Sequence, residues 1–418
     1  MGDPVHRLQA EGRGPLTTRE SARLVPRVLI VVCDSFGVGD APDAKAYGDE
    51  GSDTLGNTAK AVGGIVAPNL GSLGLGMLTD IVGVEPGAEA GTAHGRLTER
   101  SAGKDTTTGH WEMSGIVLDT PFPLYPDGFP PEVIEPFERQ IGREVLGNIP
   151  ASGTEIIAGL GEEHLRTGRP IVYTSGDSVF QIAAHTDVVN LQQLYEWCRV
   201  ARRLLTGPHN VGRVIARPFT GEPGAFVRRS ERRDFSVPPP GPTLLDRCRD
   251  NDVSVYGVGK IQDIFVGQGL TEGLYSDSND HGVDLTIEYL RRRPPSLVMA
   301  NLVDFDSKYG HRNDPDGYAH AVEALDRRLP EVVDALDGGV LLLTGDHGCD
   351  PTTPSTDHSR ERTPLLAAGV PGGPHDVGAR ASFADLGATA AELLGVPWNL
   401  EGTSFALQMG FRPYEDES

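Results

Sequence analysis

Cysteine is scarce in this 418-residue chain, and the four present, Cys33, Cys198, Cys248 and Cys349, are scattered without a CxxC pair. That excludes a disulfide framework and suits a reducing compartment, so the cytoplasm is the expected location. Basic charge is also short: 37 Lys and Arg face 59 Asp and Glu, and a formal charge of -22 repels nucleic acid and anionic membranes. No apolar run approaches the length of a membrane span. Residues 1–24 are polar and lack an apolar core of signal-peptide length, and position 6 is His6 where a myristoylation site wants Ser or Thr. They are expected to form a disordered tail. There is no internal repeat, no low-complexity segment, and no sign of an obligate protein partner.

What the sequence does hold is a set of short, continuous apolar runs that stop at acidic residues. Val28-Leu-Ile-Val-Val-Cys33 ends at Asp34, Leu297-Val-Met-Ala-Asn-Leu-Val303 ends at Asp304 and Asp306, and Gly339-Val-Leu-Leu-Leu-Thr-Gly345 ends at Asp346. Runs of this kind, bounded by Gly, Pro or Asp, read as strands buried on both faces, the pattern of a mostly parallel sheet covered by helices. The fold class expected is therefore α/β. Ligands of such sheets gather at the carboxyl edge of the strands.

Three strands thus deliver Asp34, Asp306 and Asp346 to one edge, with His347 adjacent and His311 and His358 one loop away. Taken alone, an Asp at a strand end is more often a cap or turn residue than a ligand, and a His more often a satisfied surface or core side chain. Together they would repel one another or stay unpaired without cations. Six such ligands suit two divalent ions. Mixed carboxylate and imidazole donors without a thiolate pair favour Mn or Mg, with Zn as the alternative, and a metal pair is the usual clamp for phosphoryl chemistry.

A phosphate-bearing substrate also needs a local basic pocket in so acidic a protein. Arg213, Arg217, Arg228, Arg229, Arg232 and Arg233 supply one candidate, and Lys260 follows the strand Val253-Ser-Val-Tyr-Gly-Val258. Alternation within Gly212-Arg-Val-Ile-Ala-Arg-Pro-Phe219 puts Arg213 and Arg217 on one face, which singles them out as anion ligands.

Two proline clusters, Thr120 to Pro131 and Val237 to Pro242, read as hinges. They bracket a segment with its own signals: strands Ile171–Thr174 and Gly212–Ala216, and a helix capped by Asn190 that runs from Leu191 to Leu205 and stops at Gly207-Pro208. The expected organisation is an α/β core built from residues 25–120 and 238–418, with residues 121–237 inserted as an α+β cap. Further core helices are expected from about Tyr318 to Leu336, kinked at Pro330, and from Ala384 to Leu394.

The most unusual polar stretch is Gly103-Lys-Asp-Thr-Thr-Thr-Gly-His-Trp-Glu112. Hydroxyls in a turn that opens a helix can serve as nucleophiles, with the helix N-terminus cradling a phosphoryl group. The same threonines serve equally as a helix cap. The stretches Cys33-Asp-Ser-Phe-Gly-Val-Gly-Asp-Ala-Pro-Asp43, Gly51-Ser-Asp-Thr-Leu-Gly-Asn57, Gly103 to Glu112, Ala151-Ser-Gly-Thr-Glu-Ile156, Asn301 to Arg312, and Asp346-His-Gly-Cys-Asp-Pro351 with Thr356-Asp-His358 resemble the prokaryotic phosphopentomutase family of the alkaline phosphatase superfamily. The resemblance runs from about residue 26 to the C-terminus. Gly345 and Cys349 are small departures beside the Asp-His pair.

The resemblance implies that Asp34, Asp346 and His347 hold one Mn ion and Asp306, His311 and His358 the other. It implies that Thr106 carries the phosphoryl group, that Ser175 and Asp177 in Tyr173-Thr-Ser-Gly-Asp177 meet the pentose, and that Arg213, Arg217 and Lys260 hold the substrate's phosphate. The implied activity interconverts ribose 1-phosphate and ribose 5-phosphate, and the 2-deoxy analogues, through a pentose 1,5-bisphosphate, with a sugar bisphosphate as activator. A metal-dependent phosphatase or phosphoglycerate mutase of the same superfamily is the enzymatic alternative, although the latter carries a serine nucleophile. A metal-binding sensor or scaffold without turnover is the alternative of another class.

Overall fold

A computed structural model describes residues 24–412. The tail expected over residues 1–24 lies, Leu24 apart, outside the described residues. Fourteen strands are described, in two sheets: β1 (Arg27–Cys33), β2 (Thr92–Leu97), β3 (Leu146–Pro150), β4 (Ile171–Thr174), β5 (Val179–His185), β6 (Arg213–Thr220), β7 (Val227–Arg228), β8 (Arg233–Ser236), β9 (Ser254–Val258), β10 (Glu272–Leu274), β11 (Ser296–Leu302), β12 (Val340–Thr344), β13 (Thr363–Ala368) and β14 (His375–Arg380).

The larger sheet has eight strands in the order β10-β9-β11-β1-β12-β13-β2-β14. Only β13 runs against its neighbours; every other pairing is parallel. At its centre β1, β11 and β12 are buried along their whole length. Their side chains alternate between two cores. Val28, Ile30 and Val32 pack with Leu297, Met299 and Leu342 under the helices Thr106–Met113, Leu244–Asp250 and Ala384–Leu393. Leu29 and Val31 pack with Val298, Leu341 and Leu343 under Thr54–Val62, Asn279–Leu290 and Pro315–Ala335. Two covered faces are why the strands read as unbroken apolar runs, each buried Val, Leu or Ile contributing about 1.5–3 kcal/mol.

The second sheet, β3-β4-β5-β6-β7 with β8 also on β6, has apolar cores of its own on both faces. Asn190 caps the helix Leu191–Leu204 by accepting from the Gln193 amide. The strand expected over Gly212–Ala216 spans Arg213–Thr220, because residues 213–219 pair with β5 and Thr220 with β7. The core helix expected from Tyr318 begins earlier, at Pro315, where Asp314 accepts from the Gly317 amide, and it runs as one element through Pro330. All four cysteines are buried and unpaired. Among the described residues no helix is long and apolar enough to cross a membrane.

Candidate metal and phosphoryl-transfer centre

The three central strands run parallel, so their carboxyl ends lie together and deliver Asp34, Asp306 and Asp346 to one spot. Asp34 follows β1 directly. Asp306 sits in a helical turn after β11, and Asp346 follows the Gly345 bend after β12, where the Phe36 backbone leaves no room for a β-carbon. All three carboxylates are buried. One oxygen of each, Asp34 Oδ1, Asp306 Oδ1 and Asp346 Oδ2, has no hydrogen-bond partner.

What faces those oxygens is imidazole nitrogen. His347 Nε2 lies 3.5 Å from Asp34 Oδ1 and 3.6 Å from Asp346 Oδ2. His311 Nε2 and His358 Nε2 lie 3.3 and 3.6 Å from Asp306 Oδ1. His347 donates from Nδ1 to the Gly348 carbonyl, and His311 donates from Nδ1 to the Thr356 carbonyl at 2.7 Å, so each presents Nε2 to the carboxylates. The three rings stand in a row, His347 to His358 at 4.0 Å and His358 to His311 at 4.8 Å between centroids.

Ligand atoms of Asp34, Asp346 and His347 lie within 4.8 Å of one another, as do those of Asp306, His347 and His358. Buried carboxylate oxygens without donors, opposed by imidazoles in the tautomer a ligand needs, fit divalent cations. The electrostatics agree. Burial and the Asp346 charge raise Asp34, with Lys260 opposing. Burial also works against ionisation of Asp346, but His347 and His110 hold it down at about 2. Asp306 lies well below the usual carboxylate range, because His358, Lys260 and His311 outweigh its burial.

The hydroxyl of Thr106 points into this centre, 3.2 Å from His347 Nε2. Thr106 is the first residue of the helix Thr106–Met113, and Asp105 caps that helix by accepting from the Thr107 and Thr108 amides. The Thr108 hydroxyl donates to the other Asp105 oxygen at 2.5 Å, which engages it in the helix cap. Gly109 lies against the Asp346 backbone, where a β-carbon would not fit, so the glycine lets the helix that begins at Thr106 sit directly on the Asp346 loop.

The second sheet reaches the same place. Asp177, in the β4–β5 turn with half-buried Ser175, has an oxygen grouped within 4.8 Å of ligand atoms of Asp357 and His358. Burial opposes its ionisation, but Arg213, His358 and His311 hold it below the usual range. Arg213 bonds Asp177 at 3.1 Å and lies 3.7 Å from Asp234. Arg217 is elsewhere along the same face of β6, donating to Gln181 Oε1 at 3.0 Å. Lys260 pairs with one of these carboxylates, its amine 2.9 Å from Asp34 Oδ2. Arg213, Ser175, Asp177 and Lys260 therefore border the centre, whereas Arg217 lies four residues farther along β6.

Sequence reasoning passed over three residues. His110, one turn after Thr106, is fully buried, 2.8 Å from the Thr106 carbonyl and 3.2 Å from Asp346 Oδ2. Asn301 donates to Asp34 Oδ2 at 3.2 Å from within β11. Tyr173 buries a hydroxyl without a partner, facing Gly153 at the start of the helix Gly153–Thr167 and influenced by Arg217, Arg228 and Arg232. The spacing of His110 four residues beyond Thr106 was the one available signal for the first. Cys349 also comes near Asp306 and His311, but burial first, then Asp306 and Asp357, push its thiol far above the ordinary value, and a protonated thiol is a poor ligand.

The family model described as Metalloenzyme superfamily matches residues 26–398. A phosphopentomutase of Anaeromyxobacter dehalogenans (strain 2CP-C) is 58% identical over 385 residues, 92% of this chain and 98% of the relative. A phosphopentomutase of Thermotoga maritima is 56% identical over 383 residues, covering 91% and 98%, and one of Acetivibrio thermocellus is 55% identical over 381, also covering 91% and 98%.

Proposed function

The chain belongs to the phosphopentomutase family of the metalloenzyme superfamily, and from that premise we propose how its own residues move a phosphoryl group between the 1- and 5-positions of a pentose. The enzyme is an isomerase that depends on divalent metal and acts on small sugar phosphates. Asp34, Asp346 and His347 would hold one ion and Asp306, His311 and His358 the other, Mn being the ion we favour for both. Bound there, the ions supply Lewis-acid neutralisation of charge on the transferring phosphoryl group.

Thr106 carries the phosphoryl group. Its oxygen attacks phosphorus and releases the sugar oxygen in one direction, and is itself released when a sugar hydroxyl attacks in the other. Phosphothreonine therefore gives its phosphoryl group to the free hydroxyl of a pentose monophosphate, forming a 1,5-bisphosphate that turns over and returns its other phosphoryl group to Thr106. A sugar bisphosphate primes the cycle by phosphorylating Thr106. Asp177 and Ser175 orient the pentose, while Arg213, Arg217 and Lys260 hold the phosphate that is not reacting.

We further propose that residues 121–237 act as a cap on a core formed by residues 25–120 and 238–418, excluding water while the bisphosphate turns. The four buried, unpaired thiols support a reducing compartment, the cytoplasm. The observation that carries this reading is the approach of the Thr106 hydroxyl to His347 among carboxylate oxygens that lack donors. Incubation with a sugar bisphosphate followed by peptide mass spectrometry tests it: phosphate is expected on Thr106 alone. Phosphate on Thr107 or Thr108, or normal turnover by Thr106→Ala, overturns the assignment.

A further inference from the structure

The segment Gly51-Ser-Asp-Thr-Leu-Gly-Asn57 takes no part in the chemistry proposed above, yet its Thr54 lies buried directly behind the metal ligands. Its partner is Glu361, also buried. The Thr54 hydroxyl donates to Glu361 Oε1 at 2.6 Å, and the Thr54 amide donates to Oε2 at 2.9 Å. Ser359, next to His358, donates its hydroxyl to the same Oε1 at 2.7 Å. The Cys349 amide, two residues beyond His347, donates to the Thr54 hydroxyl oxygen at 3.1 Å. One hydroxyl and one carboxylate thereby join the loops that bear His347 and His358.

The loop that bears Asp34 meets the same pair. The Leu55 amide donates to the Gly37 carbonyl at 3.2 Å. Glu361's carboxylate fills the space a β-carbon would take at both Gly37 and Gly348, so these glycines are what let the two loops close upon it. Gly348 and Ser359 exchange backbone bonds at 3.0 and 2.8 Å, and residues 38–41 bond the backbone of residues 360–362. Nearby, the Asp53 amide and the Asn57 side chain both donate to Asp350 Oδ2, at 3.1 and 2.7 Å, pinning the His347 loop a second time.

We propose that Thr54 and Glu361 are positioning residues that set the metal affinity of the centre, by fixing the Asp34, His347 and His358 loops at one mutual spacing. The physical reason is that an ion binds in proportion to how nearly its ligands already stand in place. Ligands carried on the segment after β1 and on two distant stretches of the β12–β13 connection keep that spacing only if something outside the ligand set couples them. This rests on the reading of Asp34, Asp346, His347 and His358 as metal ligands.

The test titrates the full chain, stripped by a chelator, with Mn(II) against a competing chromophoric chelator. Thr54→Val removes the hydroxyl at nearly constant volume and is expected to weaken Mn(II) binding by about 10–100-fold, whereas Thr54→Ser stays within about twofold of wild type. Glu361→Gln carries the same expectation as Thr54→Val, and stands in for it should the valine variant not fold. Thermal unfolding of the stripped proteins is measured alongside. A lowered melting temperature with undiminished affinity of the folded protein assigns the pair to the core alone and overturns the proposal. Asp346→Asn separates the two readings. If it binds Mn(II) as tightly as wild type, the ligand assignment itself falls and the inference with it; if it loses binding while Thr54→Val and Glu361→Gln retain it, the coupling alone is wrong.

Discussion

At the scale of single residues, His110 is the side chain whose placement most constrains the chemistry. One ring nitrogen lies 2.8 Å from the Thr106 carbonyl and 3.2 Å from Asp346, and the other faces the Asn301 amide at 3.5 Å. A single imidazole therefore holds the Thr106 backbone and a metal-ligand candidate at a fixed distance. Replacing it with alanine removes that spacer without touching Thr106 or the six candidate ligands. His110→Ala is expected to lower kcat by about 10–100-fold, the usual cost of losing a group that orients a ligand. Steady-state kinetics with ribose 1-phosphate at saturating Mn(II) measures this. An unchanged kcat in a folded variant would show that Asp105 and the helix packing suffice to place Thr106.

At the scale of elements, the helix Thr106–Met113 is anchored at its far end by Glu112 rather than by an apolar stripe. Glu112 is fully buried, and its carboxylate accepts from the Arg100 amide at 2.9 Å, the Ser101 amide at 2.6 Å, the Ser382 hydroxyl at 2.8 Å and the Phe383 amide at 2.9 Å. Four donors from two separate loops thus converge on one side chain. Glu112→Ala leaves all four unpartnered, at about 1–3 kcal/mol for each that water does not reach. The expected result is a loss of several kcal/mol in chemical denaturation, with protein that still folds showing raised mobility around Thr106 by hydrogen exchange. A loss below about 1 kcal/mol would mean that the loops find other partners.

At the scale of the whole molecule, side chains from two sheets approach one centre, and each sheet makes a separate prediction. Metal binding should stabilise the folded chain, because the converging carboxylates repel one another without it; stripping with a chelator is expected to lower the melting temperature, and added Mn(II) to raise it in a concentration-dependent way. A melting temperature indifferent to Mn(II), measured by calorimetry, would sink the two-ion reading. The second prediction concerns the proposed cap. Replacing Arg213 and Arg217 together with alanine is expected to lower formation of ribose 5-phosphate far more than loss of phosphate to water, because the metal centre needs neither side chain. Two charge-assisted anchors are worth several kcal/mol of transition-state binding, at about 1.4 kcal/mol per tenfold in rate. Equal loss of both products, in a variant that binds Mn(II) normally, would place the arginines in phosphoryl transfer itself.

The sequence was enough to read the α/β class and the acidic residues at the carboxyl edge of the central strands, because a covered parallel strand must be apolar throughout and polar at its end. Val28–Cys33 stops at Asp34, and Val340–Thr344 stops short of Asp346 and His347, for that local reason. The helix Leu191–Leu204 was legible from Asn190 and its apolar spacing, for the same kind of reason. What waited for the tertiary structure is every relation between residues far apart in the chain. Nothing near Thr54 announces Glu361, 307 positions away, and nothing near Glu112 announces Ser382. Alternation along β6 put Arg213 and Arg217 on one face correctly, yet only the pairing of β5 with β6 sets Arg213 beside Asp177 while Arg217 turns to Gln181. Periodicity is local and survives in one dimension, whereas a buried carboxylate takes its donors from whichever loops the fold brings to it.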